Sequence, residues 1–281
     1  MIDLDRPPTQ AAEPVGITRH AAQRIRDDGV EALDVSVAEE VPVALVYNGI
    51  SHAVMMASPT DLEAFALGFS LSEGILAEPD ELLDLAVTRG ERGVEIALRI
   101  TARRAAGLQD RRRSLAGRTG CGLCGVESLA EALRDLPRIT SDIKVGRQAI
   151  DRALAALYPL QLLNRAAGAV HAAAWADPDG AILAVAEDVG RHNALDKLIG
   201  KLAVAPQPPG FLVLTSRCSY ELVAKAAMRN IPLLVAISAP TGLALDVAER
   251  VGLTVVALAR KDAVTVYTNP ARIAELTEAE T

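Results

Sequence analysis

Hydrophobic and polar positions alternate in a regular way over much of the first hundred residues. The segment VPVALVYNGISHAVMMAS (41–58) alternates on both sides of Asn48-Gly49, which predicts two strands joined by a tight hairpin turn. The segment VEIALRI (94–100) alternates again, as expected of a half-buried strand. The pattern predicts a small α+β domain over residues 36–105, preceded by a loose polar arm over residues 1–35.

A helix is predicted between these strands, in SPTDLEAFALGFSLSEG (58–74). Ser58 is placed to cap the helix, Pro59 to occupy its first position and Asp61 to complete a capping-box-like start. Gly74 is placed to end it, because glycine readily adopts the left-handed backbone found just past a helix.

The pattern changes from residue 127 on, where helical and strand-like segments follow one another. Helical spacing predicts helices over 127–136, 147–157, 192–202, 219–230 and 241–252. Two strands are predicted around the turn at 177–180, and short apolar β-branched runs predict further strands at 210–216, 231–238 and 253–259. Strands separated by helices indicate an α/β domain with a parallel core sheet over residues 127–281.

Between the two domains lies a connector, residues 106–126, that is basic, helical in its first half and then rich in glycine. It ends in GRTGCGLCG, which places Cys121 and Cys124 at C-x-x-C spacing. Nearby cations favour the thiolate form of such cysteines, as does a helix N-terminus, and a helix is predicted from Glu127. The cations that precede the pair in sequence are Arg111, Arg112, Arg113 and Arg118.

Composition and charge argue against two classes of protein, general nucleic-acid binders and membrane-spanning proteins. Half of the 281 residues are hydrophobic, and the formal net charge of −7 argues against general binding of nucleic acid. The most apolar stretch is interrupted by Pro232, Pro240 and Gly242, so no membrane span is predicted, and the N-terminal residues lack the features of a signal peptide. We therefore expect a cytoplasmic protein, in which cysteines stay reduced and a C-x-x-C pair is reactive or binds metal.

Three kinds of chemistry remain open for the C-x-x-C pair: zinc binding, disulfide cycling and sulfur transfer. Zinc has the weakest support, because Cys218 lies in another element and the four histidines are scattered. A thioredoxin-like site normally opens a helix after a strand, whereas this pair follows a basic connector. Sulfur transfer is favoured over redox cycling. The alternative without chemistry is that the two cysteines are simply small residues in a tight loop.

A ligand-binding edge is predicted where the parallel strands end, because ligands of open α/β sheets bind there. The stretches TSRCS (215–219) and SAPTG (238–242) both lie between a strand and a helix. Free N–H groups at helix N-termini favour phosphate, although ordinary helix capping explains the same residue types. The residues expected to contact a ligand are Ser216, Arg217, Ser238, Thr241, Arg260 and Lys261.

Polar residues also cluster in EDVGRHNALDK (187–197), at another predicted strand-to-helix turn. A capped loop with a salt bridge explains this cluster as well as a catalytic site does. The same caution applies to His192 within it and to His171 at a strand start. For Cys218, a partly buried structural thiol is the favoured interpretation.

Several long motifs in a fixed order resemble the FdhD family, the sulfurtransferase accessory proteins of formate dehydrogenase. The resemblance runs from EEVPVALVYNGI to VTVYTNP. Its distinctive parts are DLEAFALGFSLSEGI, GRTGCGLCG, VHAAAW, EDVGRHNALDKLIG and VTVYT.

The resemblance implies a sulfur carrier that takes sulfane sulfur from a cysteine desulfurase and passes it to Mo-bis(molybdopterin guanine dinucleotide). The persulfide is expected on the pair Cys121 and Cys124, with formate dehydrogenase as the enzyme served and a homodimer as the assembly. GDP is the expected analogue of the accessible half of the cofactor. The segment associated with guanine dinucleotide binding corresponds here to Leu258, Ala259, Arg260, Lys261, Asp262 and Ala263.

The family's larger domain resembles the cytidine deaminase fold, which implies a deaminase-like α/β domain here. Deaminases use H-x-E followed by P-C-x-x-C. In this chain His171 is followed by Ala172 and Ala173, and the C-x-x-C pair precedes the histidine. No deaminase zinc chemistry and no permanent metal are therefore expected.

The rival functions are a C-x-x-C dithiol oxidoreductase and a non-catalytic chaperone that only binds the cofactor.

Overall fold

The computed structural model describes residues 14–115, 135–260 and 263–278. The chain forms a mixed α/β fold, in which a small α+β unit precedes a larger α/β unit, and the predicted fold class is confirmed. The domain boundaries drawn from the sequence remain a prediction. None of the helices in the described ranges is long and apolar enough to cross a membrane.

The small unit is a four-stranded sheet with one helix packed on it. The hairpin at Asn48-Gly49 and the strand near 94–100 are present as predicted. A further strand, residues 82–90, was not predicted, because its apolar residues do not alternate strictly with polar ones and none of its side chains is fully buried. In spatial order the sheet contains β4 (Ile50–Ala57), β3 (Val41–Tyr47), β6 (Gly93–Ile100) and β5 (Leu82–Gly90), and the helix is α1 (Leu62–Ser72).

The start of α1 differs from the prediction. The helix begins at Leu62, and its N-cap is Asp61, which has a left-handed backbone and makes no side-chain cap. Ser58 does not cap the helix, because its backbone N–H and hydroxyl are engaged with Asp188 and the N–H of Val189. The end is as predicted, since Gly74 has φ of 66° just past the last turn.

The predicted loose arm is wrong for the part that the structure describes. Residues 17–38 form an antiparallel hairpin of β1 (Ile17–Arg26) and β2 (Gly29–Ala38), with Gly29 at a φ of 145° in the turn. Most of its side chains are exposed, so the strands lack the apolar alternation by which a half-buried strand is recognised.

The larger unit is a six-stranded mixed sheet between two helical layers. Its central strands β9, β10 and β11 are parallel, as predicted, while β7, β8 and β12 run antiparallel to their neighbours. In spatial order the strands are β12 (Ala263–Thr268), β11 (Thr254–Arg260), β10 (Leu233–Ala236), β9 (Phe211–Leu214), β7 (His171–Ala176) and β8 (Ile182–Asp188).

Most helices of the described residues lie close to their predicted positions. The predicted helix over 127–136 lies largely outside the described residues. After α1 come α2 (Ala102–Leu115), α3 (Arg147–Leu160), α4 (Leu162–Ala167), α5 (Arg191–Val204), α6 (Tyr220–Met228), α7 (Gly242–Val251) and α8 (Ala274–Glu278).

Alternate residues of the central strands face opposite layers, as the two-residue period of a strand requires. On β9, Leu212 and Leu214 face the core formed with α1, α5, α6 and α7. Phe211 and Val213 face the core formed with α3. The first of these cores also contains β3 and β6, so it is continuous between the small and the large unit.

The two units meet where α1 crosses α5, and two glycines bring the helices close together. A Cβ on Gly68 would lie 1.7 Å from the Asp196 carbonyl oxygen, and one on Gly200 would lie 1.9 Å from the Ala64 carbonyl oxygen. No side chain larger than hydrogen therefore fits at either position. Both glycines are explained by this close approach of the backbones.

A buried ionic network adds to the same junction. Lys225 on α6 donates to Asp196 on α5 at 2.9 and 3.0 Å, and to Ser72 and Glu73 at the end of α1 at 2.9 and 2.8 Å. Ser72 in turn donates to Asp196 at 2.6 Å. Three helices are thus joined by charges that satisfy one another away from water.

Candidate functional site

The three stretches predicted to form a ligand-binding edge lie side by side in the structure. The backbone N–H of Cys218 donates to the Ala239 carbonyl at 3.3 Å, and that of Thr241 donates to the Cys218 carbonyl at 3.0 Å. The N–H of Leu258 donates to the Ser238 carbonyl at 3.3 Å. The loops after β9 and β10 and the end of β11 therefore form one continuous edge, and its role as a cofactor site stays a prediction.

The predicted contact residues on this edge differ in what they offer. Arg217 is exposed, while Ser216 is buried and donates to the Arg217 carbonyl at 3.1 Å. The Thr241 hydroxyl accepts from the N–H of Ala244 at 3.4 Å, so it acts as the ordinary cap of α7. Ser238 is half-buried. Arg217 is thus the predicted contact on these two loops whose side chain is most open to a ligand.

The segment at the end of β11 has an irregular backbone. Leu258 has φ of 52°, in the left-handed region that a bulky residue seldom adopts, and the register with β12 shifts between Ala257 and Arg260. Ala259 is buried and Ala263 is exposed. Backbone strain of this kind often occurs at ligand sites. The predicted contacts Lys261 and Asp262, and the side chain of Arg260, lie outside the described residues.

The C-x-x-C pair, Cys121 and Cys124, also lies outside the described residues, as does Arg118. The helix that precedes it is described: α2 begins directly after β6. Its first turn is fixed to the small unit, because Arg104 Nε donates to both carboxylate oxygens of Glu81 at 2.7 Å. The Glu81 pKa is held below its ordinary value, chiefly by this contact.

Cys218 is buried, in agreement with the structural role that the sequence favoured. Burial raises the pKa of its thiol to about 12. A thiol that stays protonated is a poor nucleophile, so Cys218 is unsuited to carry sulfur.

The EDVGRHNALDK motif divides into a structural part and a part that faces the edge. In the structural part, the Glu187 carboxylate accepts from the N–H groups of Leu163 and Asn164 at 2.9 Å each and so caps α4. Asp188 forms an ion pair with Lys197 at 2.7 Å, and both side chains are fully buried.

Asp188 is held by further donors that belong to different parts of the chain. It accepts from the N–H groups of Ser58 and Gly190 at 2.9 and 2.8 Å and from the amide of Asn193 at 2.9 Å. Asn193 also donates to the Met56 carbonyl at 2.8 Å. This half of the motif therefore joins the end of β4 to the start of α5.

The other half of the motif, Arg191 and His192, lies at the ligand-binding edge together with His171. The edge continues onto β7, because the N–H of Thr215 donates to the Ala172 carbonyl at 3.1 Å. His171 is paired across the strands with Asp188, the last residue of β8, so the start of β7 and the end of β8 meet there. These residues were not predicted at the edge, because the antiparallel pairing of β7 with β9 cannot be read from the residue pattern.

Both histidines are held in their neutral form. Burial first and the positive charge of Arg191 second lower the pKa of His192 to about 4. The His171 pKa is lowered by burial first and by Arg191 second. The Glu221 carboxylate lies beside His192, with 3.7 Å between Oε2 and the histidine Nε2. This part of the edge thus carries the charge of Arg191 beside two neutral imidazoles.

Comparison with known proteins shows which family the chain resembles. A profile of the FdhD/NarQ family matches residues 38–274. The sulfur carrier protein FdhD of Xanthomonas euvesicatoria pv. vesicatoria is 48% identical over 272 residues, which cover 96% of each chain. That of Xanthomonas campestris pv. campestris strain B100 is 48% identical over 268 residues, 95% of each chain.

A solved structure has the same fold over nearly the whole chain. It is the crystal structure of a candidate formate dehydrogenase accessory protein from Desulfotalea psychrophila, 25% identical in sequence, with a TM-score of 0.71. It covers 92% of this chain and all of its own. The resemblance noted in the sequence motifs is confirmed by these matches, and the chain belongs to the FdhD/NarQ family.

Proposed function

We propose that this chain is a sulfur carrier for the molybdenum cofactor of formate dehydrogenase. It takes sulfane sulfur from a cysteine desulfurase as a persulfide and passes it to Mo-bis(molybdopterin guanine dinucleotide). The observation that carries the proposal is the family membership, with relatives named sulfur carrier protein FdhD at 48% identity over nearly the whole chain. The C-x-x-C pair supplies the thiols that such a carrier needs.

The first step transfers the terminal sulfur of the desulfurase persulfide to Cys121 by thiol–persulfide exchange, with no net oxidation or reduction. The Cys121 thiolate attacks the terminal sulfur of the desulfurase persulfide, and a new S–S bond forms to Cys121. The S–S bond on the desulfurase breaks and its cysteine leaves as a thiolate. Arg118 and the arginines at 111–113 precede the pair in sequence and favour the attacking thiolate. With a raised pKa, Cys218 does not compete as a nucleophile.

The cofactor is proposed to lie along the edge formed by the ends of β9, β10 and β11, with GDP as the analogue of its accessible half. Support comes from the hydrogen bonds that hold the three loops together and from the strained backbone at Leu258. The proposed partners are a cysteine desulfurase, formate dehydrogenase and a second copy of the chain. The proposed contacts are Ser216, Arg217, Ser238, Thr241 and the segment 258–263.

Mass spectrometry of the peptide that contains Cys121 tests the proposed chemistry. After incubation with a cysteine desulfurase and cysteine, we expect this peptide to gain one sulfur atom. A Cys121→Ala variant should fail to gain it and should fail to activate formate dehydrogenase. The matched control is Cys218→Ala, which removes the buried thiol and should keep the added sulfur.

Two other outcomes would favour the rival functions. A reversible disulfide between Cys121 and Cys124, with no added sulfur, indicates a dithiol oxidoreductase. Full activation of formate dehydrogenase by a variant that lacks both cysteines indicates a chaperone that only binds the cofactor. Cys124→Ala, measured alongside, separates the roles of the two thiols.

A further inference from the structure

A second set of polar side chains lies at the same sheet edge, where the proposed function gives it no role. It consists of Arg191 and His192 at the start of α5, His171 at the start of β7 and Glu221 in the first turn of α6. Arg191 Nε and His192 Nε2 are both shielded from solvent and have no hydrogen-bond partner in the described parts of the chain. Buried polar atoms without hydrogen-bond partners are rare in folded proteins, so these two atoms need an explanation.

The position of Arg191 is also unfavourable on electrostatic grounds. It is the first residue of α5, whose first turn contains no acidic side chain. The N-terminus of a helix carries partial positive charge, so a cation there is destabilising unless an anion accompanies it. A residue that breaks a local rule in this way is typical of a binding site.

The neighbouring charges leave Arg191 available for a ligand. Asp188 is fully engaged with Lys197. Glu221 lies 3.7 Å from His192 and also interacts electrostatically with Arg191, but it leaves the Nε–H of Arg191 without a hydrogen bond in the described part of the chain. The Lys225, Asp196 and Glu73 network is compensated internally. Both histidines are neutral near pH 7, because their pKa values lie below the ordinary 6.5. The guanidinium is therefore the positive charge of this part of the edge.

We propose that Arg191 and the Nε2 atom of His192 form a subsite for a phosphoryl group, and that its occupant is the diphosphate of the guanine dinucleotide cofactor. This rests on the cofactor cleft of the proposed function. Three strand spacings of about 4.8 Å separate β11 from β7, so His171 lies roughly 14 Å along the edge from Leu258. A nucleotide with its base near Leu258 extends its diphosphate along the edge towards Arg191.

Calorimetry on the full chain tests the subsite with two probes, GDP and guanosine. A hydrogen bond to a charged group contributes roughly 1.5–3 kcal/mol, so Arg191→Gln should weaken GDP binding about ten- to a hundred-fold. Guanosine lacks the diphosphate, and its affinity should not change. The GDP affinity of Arg191→Lys should lie between those of the parent and Arg191→Gln, because lysine keeps the charge but lacks the planar guanidinium. The matched control is Arg250→Gln, an exposed arginine in the last turn of α7, which should bind both probes normally.

A thermal melt without ligand separates this role from a structural one. Arg191→Gln should melt at the same temperature as the parent or higher, since it removes a cation from a helix N-terminus. A lower melting temperature, together with equal losses for GDP and guanosine, would mean that Arg191 supports the fold, and the proposal would be wrong.

The remaining outcomes also decide the matter. Unchanged GDP affinity in Arg191→Gln overturns the subsite. Inorganic pyrophosphate that binds the parent as tightly as GDP overturns the assignment to a nucleotide. If the parent binds no GDP, the subsite and the cofactor cleft are both wrong, whereas sulfur on Cys121 would still support the carrier function.

Discussion

At the scale of single residues, the low pKa of His192 gives the protein a pH-dependent stability. The pKa of His192 is about 4 in the folded protein and close to 6.5 in an unfolded chain. Between these values the unfolded chain binds a proton that the folded chain does not. Stability is therefore complete above about pH 6.5 and is lost as the pH falls towards 4.

The measurement is urea denaturation at a series of pH values from about 8 to about 5. One histidine contributes a slope of at most about 1.4 kcal/mol per pH unit. The actual slope should be well below this ceiling, because 35% of the side chain is exposed and solvent screens its charge. His192→Asn should reduce the slope and leave the part that comes from His171, whose pKa is also lowered, whereas His20→Asn, on the exposed β1–β2 hairpin, should leave the slope as in the parent. A slope in His192→Asn that is as steep as in the parent would contradict the assignment.

The residues of the site were predictable where local sequence determines them. TSRCS and SAPTG follow apolar runs, and the ends of parallel strands meet at one edge, so their convergence could be predicted. Arg191, His192 and His171 reach that edge through β7, which runs antiparallel to β9. Strand pairing of that kind depends on contacts distant in sequence, and the residue pattern around 187–197 does not contain it. The structural role of Asp188 and Lys197 in the same motif was not predictable either, since a buried ion pair has no local sequence pattern.

At the scale of elements, the crossing of α1 and α5 depends on the absence of side chains at two glycines. We expect Gly200→Ala to lower the free energy of unfolding by an amount at the upper end of about 1–3 kcal/mol, because its Cβ meets backbone rather than a flexible side chain. Denaturant unfolding measures this change. The matched control is Gly107→Ala in α2, where a Cβ would meet nothing within 4 Å. That variant should be more stable than the parent, by about 0.5–1 kcal/mol. Equal effects in the two variants would show that helix propensity, not the crossing, decides the outcome.

The elements that were predicted correctly are those with a buried side. The central strands and the helices around them bury enough apolar surface for their period to be visible in the sequence. The β1–β2 hairpin and β5 have few buried positions, and their pairing is visible only in the fold. The shift of the α1 start has a different cause, because a long-range contact with Asp188 removes Ser58 from its local capping role.

At the scale of the whole molecule, the small unit and the large unit share one core. The cluster that contains β3 and β6 continues through α1 to α5 and to the central strands. We therefore expect a fragment of residues 36–105 to remain unfolded, since it would expose the face of α1 that packs on α5. The full chain should unfold in a single calorimetric transition. Circular dichroism of the fragment and calorimetry of the full chain provide the measurements, and a folded fragment would show that the units are independent.

The central place of β10 in the six-stranded sheet has a consequence for hydrogen exchange. Its amides are bonded between β9 and β11 and covered by helices on both faces, so they exchange only when the whole protein opens. The β1–β2 hairpin is exposed and exchanges through local opening. A ligand that binds only the folded state slows the exchange of the β10 amides by the factor by which it raises the folding equilibrium constant. It leaves the exchange of the hairpin amides unchanged. Exchange of the β10 amides therefore reports ligand binding, and exchange of the β1–β2 amides in the same sample provides the internal reference.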